Sequence, residues 1–235
     1  MWDSQGRRIQ FMWLGLRLNG ANWMGAQTIP REISLAPPGS VTGLWFSPIP
    51  EMATLHTSTA PDLDENVSLV PGPASRRVFA PKDGLHCHIK AVITLPTDQQ
   101  QSCVVTLTVR DSASGTSQGS LAIEVAHTKG QRTVTFGSKM VTISSASSEM
   151  AIEIFVDGPV RDLSVHVGLD VAAQNARAHI QIVELFANGG ERTMSTNSGN
   201  PESLPDTSIS MDVSGAPARI QMQVWAMNKS IFGPE

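Results

Sequence analysis

The chain has 235 residues, 40% hydrophobic and 16% charged, with 19 Gly, 15 Pro and a formal net charge of -4. That composition suits many short strands joined by tight turns and suits a long helical protein poorly. No basic stripe is present to neutralise phosphates, which argues against a nucleic-acid partner, and no apolar run approaches the roughly 20 residues needed to cross a bilayer.

The opening residues, Met1-Trp2-Asp3-Ser4-Gln5-Gly6, contain an acid and no apolar segment of the signal-peptide kind. The compartment is therefore not fixed by the sequence. A strand follows almost at once, which reads as a partial product of a longer protein. Residues 7–14 alternate Ile9, Phe11 and Trp13 with Gln10, Met12 and Leu14. Both faces are largely apolar, as in a strand with neighbours on each side. Asn19-Gly20 is a turn signal, so residues 23–35 are expected to return as the partner strand. Pro37-Pro38-Gly39 stops that strand, and residues 43–49 give another that ends at Pro48 and Pro50.

Pro61, Pro71, Pro73 and Pro81 then punctuate a stretch with few large apolar residues. Residues 57–81 are expected to be a linker between a segment at 1–56 and a domain at 82–235. Beyond it, period-2 alternation is clean. Leu85, Cys87, Ile89, Ala91 and Ile93 alternate with His86, His88 and Lys90, and similar runs recur around Val105, Ile123, Val134, Ile154, Val165, Ile182, Met211 and Met222. Many half-buried strands separated by Gly, Ser and Asn turns predict an antiparallel β-sandwich.

Three side-chain questions arise along these strands. Cys87 and Cys103, placed on two arms of one hairpin, sit further apart than the about 7 Å between Cα atoms that a disulfide tolerates, so both are expected to be buried thiols. His86 and His88 lie at i, i+2 on one strand face, a spacing compatible with a metal. With no third ligand nearby in sequence, a solvated polar face is the favoured reading, and no metal site is assigned. Glu184 lies on an otherwise apolar strand, where a buried carboxylate needs a cationic partner such as Arg177 or Arg192.

Two segments carry a resemblance. The first runs Gly6-Arg7-Arg8-Ile9, then Trp23-Met24-Gly25-Ala26-Gln27-Thr28-Ile29-Pro30-Arg31-Glu32, then Pro48-Ile49-Pro50-Glu51. The second is Val183-Glu184-Leu185-Phe186-Ala187-Asn188-Gly189. Together they resemble glycoside hydrolase family 32, the β-fructofuranosidases that include invertases and levanases. The first resembles the junction where the last blade of a five-bladed β-propeller passes into a C-terminal β-sandwich, and the second resembles a strand and turn near that sandwich's end. The resemblance implies that Trp23, Gly25, Pro30, Arg31, Glu32, Pro50, Glu51, Glu184, Phe186, Asn188 and Gly189 are structural motif residues, with Arg31 in an ion pair or backbone contacts. It also implies that Trp13 approaches the sugar-binding funnel, although blade packing of a large aromatic is the favoured reading there. One departure is Ala173-Gln174-Asn175-Ala176-Arg177, which stands where the family usually has an Asp-Arg-Ser-type turn.

Retaining glycosidases need two carboxyl groups roughly 5–5.5 Å apart. The family's nucleophile lies in an Asn-Asp-Pro motif, its acid/base is a Glu followed by Cys, and an Arg-Asp-Pro motif holds the fructosyl hydroxyls. None of the three occurs here; Arg110-Asp111 and Arg161-Asp162 are followed by Ser112 and Leu163. No catalytic residue is assigned, no cofactor is implied, and the chain alone is expected to be inactive. Two functional readings follow. One is the C-terminal part of a fructan- or sucrose-cleaving hydrolase, meeting a fructose-containing saccharide through propeller blades that this chain lacks. The other is a non-catalytic β-sandwich module that binds carbohydrate or a protein. Apolar strands at 7–14 and 23–35 without sheet partners favour the first, and would promote self-association.

Overall fold

A computed structural model describes residues 1–14, 26–72, 77–79, 86–96, 98, 101–109, 121–128, 131–136, 139–144, 148–157, 181–198 and 209–228. In chain order the described strands are β1 (Arg8–Gln10), β2 (Trp13–Leu14), β3 (Ala26–Gln27), β4 (Arg31–Leu35), β5 (Leu44–Pro48), β6 (Leu63–Leu69), β7 (Arg77–Phe79), β8 (His86–Thr94) and β9 (Cys103–Val109). There follow β10 (Leu121–Thr128), β11 (Gln131–Phe136), β12 (Lys139–Ile143), β13 (Glu149–Asp157), β14 (Gln181–Ala187), β15 (Arg192–Ser198), β16 (Ile209–Gly215) and β17 (Ala218–Ala226). A single 3-10 turn at Pro50–Leu55 is the one helical element among the described residues.

Two six-stranded antiparallel sheets make the sandwich. One has the order β12-β11-β10-β9-β16-β7, and the other β15-β14-β13-β8-β17-β6. The core lies between them, as alternation predicts: Cys87, Ile89, Ala91 and Ile93 point inward from β8, and Cys103, Val105 and Leu107 from β9. On β17, Ala218, Ile220, Met222 and Val224 are buried while Arg219 and Gln221 between them are exposed.

The N-terminal segment lies on the outer face of the second sheet. Its own three-stranded sheet has the order β1-β4-β5, and β2 pairs with β3, so the expected hairpin is present but interrupted at residues 11–12 and 28–30. Met52 packs with Phe155 and Phe186 of that outer face, flanked by Ile29, Ile49 and Met227. This second, smaller core is why β13 and β14 are apolar on both faces. Fully burying a Phe side chain stabilises by about 1.5–3 kcal/mol, so two of them anchor the segment firmly.

Several expectations need correction. The stretch 57–81 is not a bare linker: β6 pairs with β17 along Leu63–Leu69, and β7 pairs with β16. Each is an edge strand, where proline-flanked, weakly apolar sequence is tolerated. Cys87 and Cys103 are buried thiols, but on strands of different sheets rather than on one hairpin. β12 and β15 were not expected; Met140 on β12 is exposed, and β15 reads Arg-Thr-Met-Ser-Thr-Asn-Ser. Trp23, Gly25, Arg110-Asp111, Arg161-Asp162 and Arg177 lie outside the described residues.

Candidate functional site

The two resemblance segments, some 150 residues apart in sequence (|i−j| = 153), meet in space. Arg31 opens β4, and its Nη2 donates to Glu184 Oε2 at 2.6 Å, with the two side chains 3% and 2% exposed. Glu184 Oε1 accepts the Ile29 amide at 2.7 Å. The guanidinium also donates to Thr193 Oγ1 and Ser195 Oγ on β15, and lies 5.2 Å from the Phe186 ring centroid. Among the described residues Glu184 finds its cation in Arg31 rather than in Arg192, whose Nε donates instead to the Thr142 carbonyl; Arg177 lies outside the described residues. Burial raises the Glu184 carboxyl above its usual range against the opposing pull of Arg31 and the Ile29 amide.

The other described motif residues hold the N-terminal segment together or shape the turn after β14. Arg7 grips Glu51 bidentately, at 3.1 and 2.6 Å, and reaches Asp3 through Nε at 2.7 Å. Pro30 supplies its carbonyl to the Ile49 amide, Pro50 begins the 3-10 turn, and Glu32 pairs with Ile9 across β1 and β4. Asn188, Gly189 and Gly190 all adopt positive φ, at 53, 68 and 109°, a region open to Gly and, more sparingly, to Asn. This turn presses on β5: the Gly190 carbonyl accepts the Phe46 amide at 2.9 Å, and Ser47 Oγ donates to the Gly189 carbonyl. A Cβ on Gly190 would come within 2.6 Å of the Phe46 carbonyl carbon. Glycine is required there for two independent reasons.

His86 and His88 do not form a solvated face. His88 is 2% exposed, and β8 is covered on its outer side by the segment around His56. His88 Nε2 lies 2.7 Å from Glu153 Oε1, and His88 Nδ1 lies 2.9 Å from His56 Nε2. An ionised Glu153 only accepts, so His88 donates through Nε2 and accepts from His56 through Nδ1. Phe155 stacks on His88 at 4.0 Å, and Trp225 stacks on His56 at 4.9 Å. Burial is the chief cause lowering both imidazoles below their ordinary range. The alternation that places His88 opposite the core was legible; the cover over it was not, because His56, 32 residues away, carries no motif.

The described motif carboxylates do not form a glycosidase acid/base pair. Asp3 and Glu51 share Arg7, yet both carboxyls lie below their ordinary range, Glu51 chiefly through the Arg7 hydrogen bond; for Asp3 the bonds from Arg7 outweigh the upward push of burial. Neither is suited to be the proton donor that a glycosidase needs, whose pKa must be raised. Glu184, which is raised, faces a guanidinium rather than a second carboxylate. Among the described residues no three His, Cys, Asp or Glu side chains gather as a metal site. Trp13 is 66% exposed on β2, beside the exposed Phe11 and Met12. This is the geometry of a structural seam between strap and sandwich.

The class defined so far is an all-β, antiparallel two-sheet sandwich with an N-terminal strap on one face. Solved structures share it. A glycoside hydrolase family 32 structure from Bifidobacterium adolescentis matches with a TM-score of 0.53 and 18% identity over 97% of this chain and 31% of that one. A fructosyltransferase from A. japonicus matches with a TM-score of 0.62 and 15% identity, over 97% of this chain and 41% of that one. At such identities the likeness establishes the fold, and the chain spans less than half the length of either protein. No protein-family model matches the chain, and no curated protein matches it by sequence.

Proposed function

We propose that this chain is the C-terminal, non-catalytic part of a retaining glycoside hydrolase of the family 32 type, acting on sucrose or fructans. The Arg31–Glu184 seam carries the reading. It unites both resemblance segments in one buried contact, on a sandwich whose fold is shared with sugar-processing enzymes. In this reading residues 1–56 are the last strands of a catalytic propeller. The exposed Trp2, Phe11, Met12 and Trp13 then face the rest of that propeller, with Trp13 nearest the fructoside. The coding DNA upstream of Met1 tests it. An in-frame segment bearing an Asn-Asp-Pro motif is expected, and an immediate upstream stop codon contradicts it.

A further inference from the structure

Above the outer face of the second sheet, beyond the strap's small core, lies an open cavity of about 420 Å³. Ligand pockets run from roughly 300 to 1,000 Å³, so this one has room for a small saccharide unit. Pro37, Pro38 and Trp45 form one wall. Val92 and Ala151, cross-strand partners on β8 and β13, form the floor. Ser144, Glu149 and Asn188 border it with polar side chains.

The walls are held by one carboxylate. Glu191, 2% exposed, accepts hydrogen bonds from the Ser144 amide at 2.9 Å, Ser144 Oγ at 2.8 Å, Asn188 Nδ2 at 2.8 Å and the Val41 amide at 3.4 Å. Three separate chain segments are thereby fixed around the cavity. Trp45 is fixed too: its Nε1 donates to Ser40 Oγ at 2.9 Å, and its ring edge lies 3.6 Å from the Cβ position of Gly189. A site built this way loses little entropy on binding.

The lining also selects a chemistry. No Lys, Arg or His lines the cavity among the described residues, which rules against a phosphate or other anion. An indole and two prolines offer a flat apolar wall to the C–H face of a sugar ring, while hydroxyl, amide and carboxylate groups suit its hydroxyls. Past Val92, the exposed Gln221 and Arg219 of β17 continue the floor as an open polar sheet face, a track for further sugar units.

We infer that this cavity is a saccharide-binding site, taking a neutral oligosaccharide that lies along the sheet. The choice of sugar as ligand rests on the proposed enzyme class. Titration calorimetry of the full chain with inulin-type fructo-oligosaccharides, cello-oligosaccharides, malto-oligosaccharides and choline tests it. Saturable binding of at least one oligosaccharide is expected. Trp45→Ala and Ala151→Arg should each weaken it by at least about tenfold, and Met140→Ala, at an exposed position of β12 outside the cavity, should leave it unchanged. Ala151 is exposed on a strand, so its substitution fills the cavity without disturbing the core even if Trp45→Ala loosens its loop. Binding of no saccharide, binding that survives Ala151→Arg, or binding of choline alone overturns the inference. A preference for glucans over fructans upholds the cavity while counting against the fructoside reading, so the two fail separately.

Discussion

Glu184 and Arg31 are both taken almost wholly out of water, and burial pushes the carboxyl's pKa upward despite the guanidinium beside it. A pair of this kind sets register more than it adds net stability, since desolvation offsets most of the attraction. The two single substitutions and the double one should therefore differ. Glu184→Ala alone is expected to destabilise by about 3–5 kcal/mol, because it strands a buried guanidinium. Arg31→Met combined with Glu184→Leu should lose less than either single change, and urea unfolding of the set decides. The His56–His88–Glu153 chain makes a second prediction at this scale. Both imidazoles are depressed in the folded state below the ordinary value of 6.5, so the unfolded chain binds more protons as the pH falls below that value. Stability is fully present above it and is lost on acidification. Protonating His88 at Nδ1 also removes the acceptor for His56. The urea midpoint should fall between about pH 7.5 and about pH 5.5, and His88→Gln should flatten that slope. An unchanged slope in the variant would assign the loss to other groups.

At the scale of elements, strands with strong period-2 alternation were legible from sequence, and those at the edges were not. β8, β9, β13 and β17 each turn a clean apolar face to the main core, and their pattern alone predicts them. β6 and β15 pair on a single side, so their sequences carry little apolar signal and read as linker or turn. The strap shows the same limit from the other side. Its motif residues were readable as a resemblance, but which faces meet was not, because Arg31 and Glu184 are joined by tertiary packing rather than by any local period. Glu191 and His56 escaped for that reason too: each is one polar residue whose partners come from distant segments. The strap's contacts also bear on a chain trimmed to near Pro81. Such a chain loses β6 and β7 and uncovers Phe155, Phe186 and His88. It should bind a hydrophobic dye strongly and elute as aggregate in size-exclusion chromatography; a monodisperse monomer would mean the sandwich closes without the strap.

For the whole molecule, Trp2, Phe11, Met12, Trp13 and Leu35 of the strap are exposed. Contiguous apolar surface beyond a few hundred Å² tends to mark an interaction face, which fits the proposed place of this chain beside a catalytic propeller and also favours self-association at high concentration. The sandwich and strap supply fold, register and a seam of buried charge, while neither the Asp3 and Glu51 carboxyls nor Glu184 is suited to acid/base work. The most direct test is a fructose-release assay of the full purified chain on sucrose, inulin and levan. Loss of nucleophile and acid/base together removes many orders of magnitude of rate, so release is expected to match the buffer blank on all three. Fructose release above the blank that disappears on heating the protein would contradict the non-catalytic assignment.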